Sequence, residues 1–291
     1  VLNPGVRAPA RIPQAEARTP VRTGIAMPTL QVNETELYYE LHGPEDAEVL
    51  VLSNGVLMST ASWGLQTPAL AKHYRLLLYD CRGMWKSAHP KGPYTMELHA
   101  DDLAALLDAL KIEAAHIAGI SYGAEVSMAF ALKYPQRART LFLASAVSES
   151  DPVLRGFIGS WSAAARSRDP ERLFEVSYML NFSDTYIAAN RAAIQAASER
   201  YKLLDMDAVL ELLDCFDRLD LTKELHRIST PTLVLVGEND ILKPRKYSER
   251  IAHAIPGADL VVVPGSGHAI CLEKPALFNA LLLGFLAANQ N

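Results

Sequence analysis

The sequence predicts an α/β fold: a mostly parallel twisted sheet with helices on both faces, interrupted by one all-helical insertion. Two observations carry this. Short runs of consecutive apolar residues, of the kind buried on both faces of a parallel sheet, recur along the chain with helical spacing between them. That alternation implies βαβ units, and it lapses only over residues 149–219, where no buried-strand run occurs. The bulk properties agree. The chain has 291 residues, 49% of them hydrophobic and 21% charged, enough to bury a sizeable core without metal or disulfide support. A net charge of −5 argues against a nucleic-acid partner, because phosphate binding needs a basic face. Three scattered cysteines, Cys81, Cys215 and Cys271, suit neither a disulfide framework nor a zinc site and imply a reducing, cytoplasmic setting.

In chain order, residues 1–26 stand apart. They hold four prolines, four arginines and one acid, so their charge is 4 − 1 = +3, leaving −8 for the remainder. Such a stretch buries too little apolar surface to offset chain entropy and is expected to be a flexible extension. Its prolines break the amphipathic helix of a transit peptide, no apolar signal core is present, and Met27-Pro28 reads as a natural start. Leu30–Val32 and Leu37–Leu41 flank Asn33-Glu34 and predict an antiparallel hairpin. Buried strands are expected at Val49–Leu52, Arg75–Tyr79, Ala115–Ala118, Thr140–Ala144, Thr232–Val236 and Asp259–Val263.

Between the strands, a helix pattern begins near Ser62. Thr95 can cap a helix whose Leu103, Leu106, Leu107 and Leu110 share one face. Another runs from Ala124 to Lys133 and stops before Pro135. The insertion holds helical pieces at Leu154–Ala165, after the Asp169 cap with Pro170 in the first turn, from Ser183, and over Met206–Leu219. The apolar stretch Ala276–Ala288 is too short to span a membrane and reads as a final core helix. The expected organisation is therefore an extension (1–26), a core (27–148 and 220–291) and a helical cap (149–219).

The chemistry concentrates in three loops. Gly119-Ile-Ser121-Tyr122-Gly123 sits between a strand and a helix, where glycines allow a sharp turn that lifts the Ser121 hydroxyl clear of the sheet. Without partners the same pattern is an ordinary glycine turn. A serine nucleophile needs a base, and the base an orienting acid. Asp240 follows the strand Thr232–Val236 within Gly237-Glu-Asn-Asp240, and His268 follows Asp259–Val263 within Gly265-Ser-Gly-His268. Both fall at strand carboxyl ends, where open α/β sheets build their sites. The order Ser121, Asp240, His268 is the nucleophile-elbow order. After Val49–Leu52 comes Ser53-Asn54-Gly55-Val56, whose glycine allows close backbone approach. The amides of Val56 and Tyr122 are the expected oxyanion donors. Asn54-Gly55 is also a hairpin signal, but a helix pattern follows it rather than a second strand.

On these motifs, from about Leu30 to the C-terminus, the chain resembles the α/β-hydrolase superfamily. Asp80-Cys-Arg82-Gly83-Met-Trp85-Lys-Ser87 is similar to that family's D-x-R-G-x-G-x-S loop, with Trp85 where glycine is usual. Asn54-Gly55 resembles enol-lactone hydrolases and 3-hydroxyacyl transferases, and the helical insertion falls at the usual cap position. The resemblance implies a cofactor-free serine hydrolase that cleaves an ester, lactone or thioester through an acyl-enzyme on Ser121. The alternative is an acyltransferase using the same triad on acyl-carrier-protein or coenzyme A thioesters. Ser53–Trp63 resembles such transferases, and Lys243, Arg245 and Lys246 could meet a carrier phosphate. A ligand receptor with an idle triad is a third reading, which no residue favours. Glu149 is the runner-up acid, and Cys271 is expected to be a packing thiol. Phe157, Trp161, Tyr178, Met179 and Phe182 are candidates for a pocket wall, and the histidine spacing suggests no metal site.

Overall fold

The computed structural model describes residues 28–290; the extension expected over residues 1–26, and the start read at Met27, lie outside them. Its single eight-stranded sheet comprises β1 (Thr29–Val32), β2 (Thr35–His42), β3 (Val49–Ser53), β4 (Arg75–Tyr79), β5 (Ala115–Ile120), β6 (Ala138–Ala144), β7 (Thr232–Gly237) and β8 (Asp259–Val263), in the order β1-β2-β4-β3-β5-β6-β7-β8. The first two strands form the predicted hairpin. β2 runs antiparallel to β4, and every later pairing is parallel.

The helices are α1 (Thr67–Leu70), α2 (Met96–Ala109), α3 (Tyr122–Lys133), α4 (Pro152–Arg166), α5 (Pro170–Asn181), α6 (Asp184–Ala197), α7 (Met206–Asp217), α8 (Arg245–Ala254), α9 (Ile270–Glu273) and α10 (Pro275–Ala288). The predicted caps are in place: Thr95 Oγ1 accepts the Leu98 amide at 3.0 Å, Asp169 Oδ1 that of Arg172 at 3.0 Å, and Ser183 Oγ that of Tyr186 at 3.3 Å. The helix expected near Ser62 is shorter than its pattern, a 3-10 turn at Thr60–Trp63 followed by the single turn of α1.

The continuous apolar runs are explained by burial on both faces. In β3, β5 and β7, Val51, Ile117 and Val234 belong to a core shared with α2, α3 and α8, whereas Leu50, Leu52, Ile120 and Leu235 belong to one shared with Trp63, α9 and α10. Only helices occur between β6 and β7, namely α4 to α7 with 3-10 turns at Ser198–Leu203 and Leu225–Arg227. The direction of strand addition reverses at β3 and β5, because β4 lies on one side of β3 and β5 on the other. Open α/β sheets bind ligands outside the strand carboxyl ends at such a reversal. Here those ends carry Asn54-Gly55-Val56 and Ser121.

Among the described residues, no helix is long and apolar enough to cross a membrane.

Candidate active site

Ser121 heads α3 with φ 55° and ψ −124°, a left-handed conformation that a non-glycine residue adopts only when its surroundings hold it. Its amide donates to Ala144 O at 2.8 Å, and its carbonyl accepts the Ala124 amide at 2.8 Å. The flanking glycines are required by space. A Cβ on Gly119 would overlap the Gly123 carbonyl, and one on Gly123 would overlap the backbone of Ser53 and Asn54. The elbow is thereby pressed against the loop after β3. At Gly55 the fit is looser, since a Cβ there would crowd the flexible Met58 Sδ at 3.0 Å and meet Ser121 Cβ at an ordinary contact distance of 3.4 Å.

The loop after β3 is held from beneath. Asn54 is buried, its Nδ2 donating to Tyr79 O at 3.0 Å and Asp80 Oδ1 at 2.9 Å, while its Oδ1 accepts Trp63 Nε1 at 2.7 Å. Burial pushes the Asp80 carboxyl up to about 6, against the opposing hydrogen bonds from Thr60, Lys86 and Asn54. Arg82 of the same loop forms a two-point pair with buried Asp102, at 2.5 Å for each bond. Among the described residues, neither the Val56 amide nor the Tyr122 amide donates a hydrogen bond. The Tyr122 side chain is buried. Its hydroxyl lies 2.8 Å from Nε2 of buried His99, an imidazole that burial and then the Arg82 charge push down to about 3.

The other two predicted residues meet directly. His268 Nδ1 lies 2.8 Å from Asp240 Oδ2, and both side chains are buried. A carboxylate can only accept, so in the neutral imidazole the ring proton sits on Nδ1 and Nε2 keeps its lone pair. Asp240 is fixed by the Lys243 amide, which donates to its Oδ1 at 2.8 Å, and the His268 carbonyl accepts Ser145 Oγ at 2.8 Å. Glu149 lies elsewhere, bonded to Arg250 and Thr222.

Ser121 and His268 open onto one cavity of about 160 Å³, which Val56 also lines. Apart from Asn181, its remaining wall is mainly apolar and aromatic, with Trp161, Phe174, Tyr178, Phe182, Ile194 and Tyr201 from the helical segment and Met58, Ile120 and Leu272 from the sheet side. Among the described residues, no Lys, Arg, Asp or Glu is part of it. Of the expected wall residues, Trp161, Tyr178 and Phe182 are present. Phe157 instead packs against the core and Met179 is 50% exposed. Sequence reasoning missed Phe174, Ile194 and Tyr201, whose helical spacing does not distinguish a cavity wall from ordinary core. Cys271 is buried beside the cavity, and burial pushes its thiol up to about 12, which leaves it protonated and inert.

The basic cluster expected at Lys243, Arg245 and Lys246 is not a free patch. Lys243 is buried and pairs with buried Glu125 at 2.9 Å and 3.0 Å, because its stem runs inward from the Asp240 loop to α3. Arg245 pairs with Glu249 and Lys246 with Asp151.

Residues 48–275 match the alpha/beta hydrolase fold family, and the chain belongs to it. It is an enzyme of that class. Among its relatives, RutD of Stutzerimonas stutzeri, which carries the name carbamate hydrolase, is 32% identical over 86% of this chain and 97% of its own length. Two solved structures are similar. An α/β hydrolase from a Medee basin deep-sea metagenome superposes with a TM-score of 0.86 at 29% identity, covering 91% of this chain and 98% of its own. The enol-lactonase of Burkholderia xenovorans LB400 gives 0.82 at 28%, covering 89% and 100%.

Proposed function

We propose that this protein is a serine hydrolase that cleaves an uncharged carboxylic ester, lactone or thioester through an acyl-enzyme on Ser121. The observation that carries the reading is the Asp240–His268 pair, joined through Nδ1, whose His268 lines the same cavity as Ser121. Ser121 Oγ attacks the acyl carbon while His268 Nε2 takes its proton. Asp240 holds the imidazole in that tautomer and stabilises the imidazolium. The carbonyl oxygen becomes an oxyanion facing the Val56 and Tyr122 amides, whose hydrogen-bonding capacity is unspent. The imidazolium returns its proton to the leaving group. Water, deprotonated by the same nitrogen, then releases the acid and restores Ser121.

The uncharged wall favours a neutral acyl group, since a buried carboxylate without a partner is costly. A cavity of this order holds about a benzene-sized group. Lactone and carbamate cleavage, the activities named for the relatives, also require acyl transfer to water. Acyl transfer to a carrier protein is the less favoured reading, because the basic residues that would greet the carrier phosphate already have acidic partners. We read residues 149–219 as a cap on the core (27–148 and 220–291), a reading supported by the helical residues in the cavity wall. The partner is a small acyl substrate, and three buried free cysteines fit a cytoplasmic setting.

The test is Ser121→Ala assayed on p-nitrophenyl butyrate, with fluorophosphonate labelling of the parent. Abolished turnover in a folded variant, with label on Ser121 alone, is expected. Retained turnover overturns the assignment.

A further inference from the structure

Trp85 occupies a glycine position of its loop and adopts φ 44°, a left-handed conformation that strains the backbone of a bulky residue. Two contacts hold it there. Its indole Nε1 donates to Leu57 O at 3.1 Å, and the Arg200 guanidinium lies 4.7 Å from its ring centroid. Arg200 belongs to the 3-10 turn Ser198–Leu203 of the helical segment, and its Nη2 also donates to Ser59 Oγ at 2.8 Å. Leu57 is itself left-handed at φ 65° and directly follows Val56. One side chain from the helical segment thus reaches the loop after β3 twice, once directly at Ser59 and once through Trp85 at Leu57.

We propose that Trp85 and Arg200 are positioning residues, which clamp the loop carrying the Val56 amide so that seating of the helical segment sets the oxyanion geometry. This rests on the serine-hydrolase reading above. A clamp of this kind explains why a strained tryptophan occupies a position where glycine would relieve the strain. Leu57 sits at the centre of a turn closed by the Met58 amide on Gly55 O at 3.1 Å. The Gly55 carbonyl shares its peptide plane with the Val56 N–H, so contacts that hold Leu57 in this turn bear on the direction of that N–H. Neither residue touches the reacting atoms.

The experiment uses Trp85→Phe, which keeps a ring under the guanidinium but loses the donor to Leu57, together with Arg200→Met and the double variant. Loss of a whole oxyanion donor lowers kcat about 10²- to 10³-fold, so loosening its loop should lower kcat about tenfold. KM for p-nitrophenyl butyrate should stay within about twofold, since ground-state contacts are untouched. Inhibition by a trifluoromethyl ketone, whose adduct carries the oxyanion, should weaken in parallel with kcat. Because both residues act on one loop, the double variant should lose no more than about the worse single one. Unchanged kcat in both single variants, a loss confined to KM, or losses that multiply would overturn the clamp. If Trp85→Phe does not fold, Arg200→Met, at an exposed side chain, decides by the same measures. Ser121→Ala is run alongside. If it retains turnover, the underlying site reading fails and the clamp with it; if it is dead while the clamp variants match the parent, only the clamp fails.

Discussion

Replacing Asp240 by asparagine tests the charge arrangement of the site without changing its shape. In the parent, Oδ1 accepts the Lys243 amide at 2.8 Å and Oδ2 accepts His268 Nδ1 at 2.8 Å. Asparagine has one acceptor oxygen and one donor nitrogen. The Lys243 N–H can only donate, so the amide oxygen must stay with it and Nδ2 must face His268. Nδ1 then has to accept, and the ring proton moves to Nε2. A protonated Nε2 cannot take the Ser121 proton. In triads of this kind the wrong tautomer lowers kcat by about 10⁴. That corresponds to roughly 5 kcal/mol of barrier. Both hydrogen bonds survive in number, so the thermal midpoint should move little. The assay is steady-state hydrolysis of p-nitrophenyl butyrate at neutral pH, with Glu149→Gln as comparison. A loss below tenfold in Asp240→Asn, or a larger loss in Glu149→Gln, would refute the reasoning and move the acid to Glu149.

Two further outcomes follow from burial. Trp161 is 2% exposed, lines the cavity and bonds through Nε1 to Val176 O at 3.0 Å. Trp161→Ala should therefore cost about 3–5 kcal/mol of stability. It should also shift preference toward longer acyl chains across a series of p-nitrophenyl esters; an unchanged preference would leave Trp161 as core only. His99 is held neutral to about pH 3, whereas an unfolded histidine protonates near 6.5. Between those values the unfolded chain binds a proton that the folded chain refuses, so stability is full above pH 6.5 and declines as pH falls. At pH 4.5 the His99 contribution should be lower by roughly 2–3 kcal/mol, a decline that His99→Gln should remove in urea titrations at pH 7 and 4.5. Asp80 acts with the opposite sign, its proton being held in the folded state up to about pH 6, so variant and parent must be compared at each pH. Parallel pH dependence in the two proteins would contradict the buried, neutral His99.

What was legible in the sequence was local in character. Apolar runs such as Val49–Leu52 and Thr232–Val236 announce strands buried on both faces, and Thr95, Asp169 and Ser183 announce helix starts through their side-chain oxygens. The elbow was legible because Gly119 and Gly123 are demanded by contacts with neighbouring backbone, a constraint that leaves a sequence mark. The Asp240–His268 pairing was inferable from strand-end placement, glycine-flanked loops and the order Ser121, Asp240, His268 together. The cavity wall was not. Phe174, Ile194 and Tyr201 sit on helices whose inward stripe looks the same whether it meets another side chain or an empty volume. Lys243 misled because a lysine in a loop is usually solvated, and only the folded chain shows Glu125, four residues beyond Ser121, waiting inside. Pairing across 118 positions in sequence leaves no local trace.

The helical segment cannot be treated as a lid independent of the chemistry, because it is bonded to the loops that carry the proposed reacting groups. Asn181 O accepts the Ala269 amide at 2.8 Å, next to His268. Glu273 joins the same loop to the segment, accepting the Gly267 amide at 3.0 Å together with the Ser183 amide at 3.0 Å and the Ser183 hydroxyl at 2.5 Å. Arg200 reaches the loop after β3 through Ser59 and Trp85. One side of the segment therefore constrains the proposed base and the other the proposed oxyanion loop, while Trp161, Phe174 and Tyr201 between them line the cavity. A substrate that forces this wall outward pulls on both loops at once. Selectivity for acyl size in such a site should appear in kcat as well as KM, since a misfitting chain disturbs the donors and the base that act in the transition state.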